Sequence, residues 1–460
     1  MEREPRNSGV HVMCLSFPPQ GHINPMIQFC KRLASKGLMV TLITTTSCTA
    51  KFTQTQASSI NLERISDGFK EGEMTTANIE EFFKGFKISV SQSLAELIEK
   101  QTSSRYPPKF LVYDSYMPWA LDIARRFGID GAPLCTTSMA VHTIYYHVHQ
   151  GRVKTPVEES SVISLPSMPL LGKNDLPSFL YLSGSPHDFL LNETVDQFSN
   201  IQQLNWLFVN TFDKLEDEVV NWMRRSQCPI NTIGPMIPSM YLDKRLEDDK
   251  NYELSSSKPN KEDNCVKWLD SKETASVVYV SYGSWAPLGE EQMEELAWGL
   301  KRSNNNFLWV VKESEKKNLP SKFIEETSEK GLVVTWSPQL DVLAHKSVGC
   351  FMTHCGWNST LEALSLGVPM VAVPQFSDQT TNAKFVVDVW EVGVRVRVNE
   401  KGIVTKEEIE ECISQIMQGE RGKQIRRNSD KWKELAKEAV CHGGSSDQNI
   451  EQFVAKISSN

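Results

Sequence analysis

Twice along this 460-residue chain, short apolar runs alternate with segments whose apolar positions recur at helical spacing. That double alternation limits the fold more than any other feature of the sequence. In the first half, Val10–Phe17 is nearly continuous in apolar residues, as suits a strand buried on both faces. A turn rich in Pro and Gly follows (Pro18-Pro19-Gln20-Gly21-His22). Helical spacing then runs over Met26–Lys36, is stopped by Gly37, and gives way to a second apolar run, Leu38–Thr45. This is a βαβ unit. Phe110–Tyr113, ending at Asp114, Leu207–Val209 and Asn231–Ile233 read as further short strands, while Ser164–Pro186 has no period and reads as loop. The alternation restarts with strand Val277–Ser281, the turn Tyr282-Gly283-Ser284 and helix Glu290–Lys301. Strands Phe307–Val311, Leu332–Thr335 and Gly349–Thr353 come next. Helix Ser359–Leu366, strand Met370–Val373, helix Gln379–Val389 and strand Gly393–Arg397 complete the series.

Such a chain exceeds the roughly 250–300 residues at which one core stops growing. Between the two halves lies LDKRLEDDKNYELSSSKPNKEDN, Leu242–Asn264, polar and charged throughout. It reads as a linker over 241–264, joining a domain at 1–240 to a second one that starts at 265. The expected class is α/β, with two doubly wound, Rossmann-like domains.

Charge narrows the partners. Lys and Arg total 49 against 57 Asp and Glu, a formal charge of −8. That balance lacks the basic footprint of a nucleic-acid binder, and no polybasic run suits an anionic membrane surface. No stretch approaches the 18 or so apolar residues of a membrane span, so no stable membrane insertion is expected. Val10–Phe17 is too short for a secretory leader. The ten cysteines include no C-x-x-C, and Cys350 and Cys355 are spaced unlike a zinc knuckle, so reduced, mostly buried thiols of a cytoplasmic protein are expected. Neither half carries G-x-G-x-x-G or a P-loop, and no D-x-D indicates a metal-bridged diphosphate. His142, His147 and His149 cluster beside Tyr145 and Tyr146 without a carboxylate, which favours packing or pocket lining over metal binding.

The chemistry concentrates between Trp336 and Gln379. Strand Gly349–Thr353 runs into His354, Gly356, Trp357, Asn358 and Ser359 and then a helix. A helix start presents amides and the positive dipole end, which bind phosphate. Asn358 and Ser359 also suit an N-cap. Trp336 ends a strand where ligands of such sheets bind, and an aromatic face there can stack on a base. Glu362 lies one turn into the helix, where a solvated position is the plain alternative to ligand binding. The adjacent carboxylate and amide of Asp378 and Gln379 can fork onto sugar hydroxyls, with Asp378 also suited to cap the next helix. In the first half, His22 and Asp114 both follow strands of one sheet, so they can meet at its C-terminal edge. A His–Asp pair is an economical general base for a hydroxyl.

WSPQLDVLAHKSVGCFMTHCGWNSTLEALSLGVPMVAVPQFSDQ, residues 336–379, resembles the signature box of the plant family 1 UDP-glycosyltransferases. FPPQGHINP, VYDSYMPWALDIA and YLDKRLEDDKNY fit that family too. The nearest group glucosylates small phenolic acids, triterpenoids and steroids. The resemblance implies a GT-B fold of two facing Rossmann-like domains, with acceptor bound to the first and donor to the second. The second would span 265–441, and a last helix over 442–460 would return to the first. The resemblance also implies that His354, Asn358, Ser359 and Ser284 contact the diphosphate. Trp336 would stack on the base, Gln339 and Glu362 would hold the ribose, and Asp378 and Gln379 the sugar; Ser337 and Trp357 join the donor contacts. Gln379, rather than His, leans toward UDP-glucose. Phe376 and Ser377 depart from the usual residues before that pair. His22 and Asp114 become the catalytic base pair of an inverting transfer.

Met117, Met139, His142, Tyr145, Phe179 and Leu182, with Trp285 and Phe376, suggest a flat apolar acceptor, steroid or triterpenoid ahead of flavonoid or other phenolic. No resident cofactor or metal is expected, and monomer is the family default. The competing readings are glucose-ester formation on a small carboxylic acid, a non-catalytic UDP-sugar-binding protein, a UDP-sugar epimerase and an NAD-dependent oxidoreductase.

Overall fold

The apolar runs form strands, and in the first half they pair in parallel. The computed structural model describes residues 9–48, 60–70, 79–184, 186–226, 228–247, 249–252, 263–283 and 288–459. The strands of the first half are β1 (His11–Leu15), β2 (Met39–Thr45), β3 (Ile60–Ile65), β4 (Pro108–Asp114) and β5 (Asp130–Cys135). A small antiparallel hairpin, β6 (Val162–Ile163) and β7 (Leu171–Gly172), precedes β8 (Leu207–Val209) and β9 (Ile230–Thr232). Seven of these form one sheet in the order β3-β2-β1-β4-β5-β8-β9, with parallel pairing throughout. Every residue of β1 is buried, because helices cover both faces of a doubly wound sheet.

The second half supplies β10 (Val277–Ser281), β11 (Asn306–Val310), β12 (Gly331–Val334), β13 (Val348–Thr353), β14 (Met370–Ala372) and β15 (Gly393–Arg395). Their order is β12-β11-β10-β13-β14-β15, again all parallel. In both sheets the strand order reverses beside the first strand, between β1 and β4 and between β10 and β13. Ligands of such sheets bind outside the strand C-termini at that reversal.

The chain divides into two compact units: Met1–Lys173 with Ser178–Ser256 and Glu438–Asn460, and Asn174–Pro177 with Ser257–Lys437. The proposed linker therefore needs correcting over its described first part. Leu242 is 2% exposed and packs with Ile237 and Val440, and Asp243 and Asp249 take Arg32 and Lys31 as ion-pair partners. A polar composition concealed this stretch because two of its carboxylates, Asp243 and Asp249, are paired with Arg32 and Lys31 of one helix rather than left in water. Within it, residues 248 and 253–262 lie outside the described residues, and 263–264 already belong to the helix Asp263–Asp270.

The helix Ser445–Ser458 lies in the first unit. Ile450, Phe453 and Ile457 join the core cluster of β1, β2 and β4, and Phe453 meets Phe110, Phe208 and Trp206 at 5.0, 4.9 and 5.4 Å between ring centroids. In the second unit, Asn174–Pro177 is bound to the helix Gln379–Asp388 and to β15. Thr380 and Thr381 hydroxyls donate to the carbonyls of Leu176 and Asp175 at 2.6 and 2.7 Å, and Arg395 pairs with Asp175 at 2.9 Å. Among the described residues, no helix is long and apolar enough to cross a membrane. All ten cysteines are free thiols, nine of them buried.

Candidate active site

In the first unit His22 and Asp114 meet at the C-terminal edge of the sheet. The helix after β1 begins earlier than its spacing suggests, at Gln20, so His22 sits in its first turn rather than in a loop. Pro25 lies inside this helix and hides its start in the sequence. Burial of Ile23, Met26 and Ile27 on the helix face outweighs the amide that Pro25 lacks. Asp114 is the last residue of β4 and is 0% exposed. His22 Nδ1 lies 2.8 Å from Asp114 Oδ2 and 3.1 Å from the Thr136 hydroxyl at the end of β5. Tyr116 N–H donates to Asp114 Oδ1 at 3.1 Å, fixing the carboxylate from its other side. A carboxylate at Nδ1 keeps the proton there and makes Nε2 the basic nitrogen.

Aromatic rings surround this imidazole. Phe17 and Tyr116 each meet His22 edge to face at 5.3 Å, Phe83 contacts Phe17 at 5.7 Å, and Phe189 contacts Phe83 at 5.7 Å. Tyr116, Phe83 and Phe189 are partly exposed. Sequence reasoning missed all four, because lone aromatics on helices and turns read as core.

The residues proposed from the sequence for the acceptor are placed differently. Met117, Met139, His142 and Tyr145 are each 2% exposed or less, Phe179 is 8% exposed, and Leu182 reaches 37%. His142 packs on Phe198 at 4.6 Å and its Nδ1 lies 3.3 Å from Cys135 Sγ; burial pushes it down to about 4. His147 packs on Trp222 at 4.9 Å and His149 on Phe198 at 5.7 Å, so the histidine cluster is packing.

In the second unit the strand ends converge on the box. Gly356 is the N-cap of the helix Trp357–Leu366, so Asn358 and Ser359 fall in its first turn and do not cap it. Cys355 turns the chain with φ 62°, and Asn382 Nδ2 donates to its carbonyl at 3.0 Å. The His354 imidazole is seated on two glycines. A Cβ on Gly356 would come within 2.5 Å of its Nε2, and one on Gly283 within 2.8 Å. Burial, with the Lys312 charge adding to it, pushes His354 down to about 4, so it is neutral at pH 7. Its Nδ1 is buried without a hydrogen-bond partner, a polar atom that a bound anion would satisfy. Ser284 and Trp285 lie outside the described residues.

Around Gln339 the polar groups are interlocked. Gln339 Nε2 donates to Glu362 Oε2 at 2.6 Å and to Ser359 Oγ at 3.0 Å. Glu362 is 4% exposed and so is not the solvated helix residue its position permits. Tyr279 of β10, which the sequence reading did not single out, donates to Gln339 Oε1 at 3.3 Å and lies 2.9 Å from Ser337 Oγ. A tyrosine inside an apolar strand needs a partner for its hydroxyl, and that was the available signal.

Trp336 is 49% exposed, as a stacking platform must be and a core residue is not. Trp357 is the opposite: 4% exposed, its ring 6.0 Å from Trp390. Its indole is therefore core, and only its backbone faces the helix start. Asp378 occupies the N-cap position of the helix Gln379–Asp388 without capping it through its side chain; instead its Oδ2 accepts from Asn382 Nδ2 at 2.8 Å. Gln379 Oε1 accepts from the amides of Gln375 and Phe376 at 2.8 and 3.2 Å, which fixes the carboxamide and turns its amino end away from them.

A family model described as UDP-glucoronosyl and UDP-glucosyl transferase matches residues 192–432. The chain is 51% identical to mogroside I-E synthase of Siraitia grosvenorii, over 97% of this chain and 98% of that one. It is 51% identical to UDP-glycosyltransferase 74E2 of Arabidopsis thaliana, over 97% and 99%. Among solved structures, that of Os79 from O. sativa in complex with UDP superposes with a TM-score of 0.88 at 38% identity, covering 97% of this chain and 100% of that one.

Proposed function

The chain belongs to the plant family 1 UDP-glycosyltransferases, and from that premise we propose an inverting transfer of glucose from UDP-glucose to a hydroxyl of a small apolar acceptor. It is a GT-B glycosyltransferase that uses a UDP-sugar. What remains to be read from its own residues is the base, the sugar and the acceptor.

The observation that carries the proposal is the 2.8 Å contact between His22 Nδ1 and the fully buried Asp114 carboxylate. Nε2 of His22 takes the proton of the acceptor hydroxyl. The oxygen attacks the anomeric carbon of glucose from the face opposite the diphosphate. The bond from that carbon to the diphosphate oxygen breaks, UDP departs with the electron pair, and the α configuration becomes β. Asp114 stabilises the imidazolium that forms, which then loses its proton to water. His354 and the start of the helix Trp357–Leu366 hold the charge that develops on the leaving diphosphate. Trp336 carries the uracil, Gln339 and Glu362 the ribose, and Asp378 with Gln379 the glucose.

For the acceptor, the aromatic rings of Phe17, Phe83, Tyr116 and Phe189 beside the base support a flat apolar molecule, triterpenoid or steroid first. The relative named mogroside I-E synthase supports the same choice. Incubation with UDP-glucose and a panel of triterpenoids, steroids, flavonoids and phenolic acids tests it, read by mass spectrometry for a product one hexose heavier. His22→Ala should lower the transfer rate by about 10²–10⁴-fold while UDP still binds. Full rate in that variant removes the base from His22.

A further inference from the structure

We propose that Tyr279 is a positioning residue for the nucleotide ribose, acting through Gln339. The inference rests on the reading that Gln339 and Glu362 hold the ribose. Tyr279 is 1% exposed and stacked on Phe351 at 5.0 Å and 17°, so its ring cannot swing. A phenol has one proton to give. Its contact with Gln339 Oε1 uses that proton, since a carboxamide oxygen only accepts. The Ser337 hydroxyl, 2.9 Å away, is therefore the donor in the second contact.

Donation to Oε1 settles which end of the carboxamide faces which neighbour. The oxygen is turned to Tyr279, so the amino end is turned to Ser359 and Glu362 Oε2. A reversed amide would set its oxygen against the Glu362 carboxylate, two acceptors at the distance of a hydrogen bond. Tyr279 thus holds the Gln339 amino group, whose two protons go to Ser359 and Glu362 until a ribose replaces them, beside a buried carboxylate, the pattern that reads a vicinal pair of hydroxyls. It touches no substrate itself.

The test compares the affinities of UDP and 2′-deoxy-UDP by calorimetry. The unmodified protein should prefer UDP by roughly tenfold or more, the loss expected when a site built for a hydroxyl meets a ligand without it. Tyr279→Phe should shrink that preference to about twofold, leave the affinity for 2′-deoxy-UDP nearly unchanged, and raise KM for UDP-glucose with little change in kcat. In a Gln339→Ala background the same substitution should change nothing further. Equal weakening of both nucleotides by Tyr279→Phe, or a preference kept in full, overturns the inference.

Ser337→Ala gives a second measurement if the phenylalanine variant does not fold. The phenol still donates to Gln339 there, so the preference should survive even where loss of the donor contact given to Ser337 weakens both nucleotides alike. Its loss to the extent seen in Gln339→Ala would overturn the inference. An unmodified protein that does not distinguish the two nucleotides overturns the ribose reading and this inference together. A preference lost in Glu362→Ala but kept in Tyr279→Phe overturns the inference alone.

Discussion

Trp336 shows how much a single side chain's surroundings can say. Half-exposed at a strand end, it leaves a large aromatic face in water that nothing in its own unit covers. Base stacking on such a face is worth about 1–3 kcal/mol. Trp336→Ala should therefore weaken UDP binding by about that amount, measured by calorimetry, without lowering the melting temperature. His22, Asp114, Gln339, Glu362 and Gln379 could be named from the sequence because their motif fixes both residue type and spacing, and the structure brings His22 to Asp114 and Gln339 to Glu362. Tyr279 and the ring of rings around His22 were not. Their contacts join positions far apart in the chain, such as Phe17 with Phe83 and Tyr279 with Gln339. Periodicity along the sequence cannot report them.

At the level of elements, strands were read more accurately than helix starts. Val277–Ser281 and Leu207–Val209 appear with the bounds that apolar continuity assigns. The helices after β1 and β13 begin at Gln20 and Trp357, six and two residues before their apolar spacing shows. Both early turns carry residues proposed for the site, His22 in one and Asn358 and Ser359 in the other. A helix start that faces a ligand has no apolar stripe to announce it. The turn between β13 and its helix is built around a glycine for space: a methyl group at Gly356 would strike the His354 ring. Gly356→Ala should displace that imidazole and lower transfer by roughly 10- to 100-fold, while circular dichroism and melting temperature stay close to the parent's.

Across the whole molecule, the two-unit plan was readable from the doubled alternation, but the assignment of its polar segments was not. Asp243 and Asp249 pair with Arg32 and Lys31 of the helix Gln20–Ser35, and Asp447 pairs with Lys36 just beyond its end at 2.7 Å and with Arg245 at 2.9 Å. Burial alone would push the Asp447 carboxyl up, but hydrogen bonds from Lys36, the Gly443 amide and Arg245 outweigh it and hold it at about 2. Its folded value is thus below the unfolded one. The stability it supplies is fully present above pH ~4 and is lost as pH falls from there toward 2, on the order of 2 kcal/mol. Asp447→Asn should lower the melting temperature at pH 7 and flatten its acid dependence over that window.

The packing of Phe453 and Ile457 beside β1 and β4 also sets an order of events during synthesis. β1 and its neighbours leave the ribosome early, yet the face bearing Phe110, Trp206 and Phe208 stays uncovered until the helix that seals it has been translated, after the entire second unit. A nascent chain of this protein therefore carries an open aromatic patch through about half of its elongation, from the synthesis of Phe208 to that of Phe453. Chaperones that bind such patches have their longest opportunity there, and a ribosome that stalls before residue 445 releases a first unit unable to close.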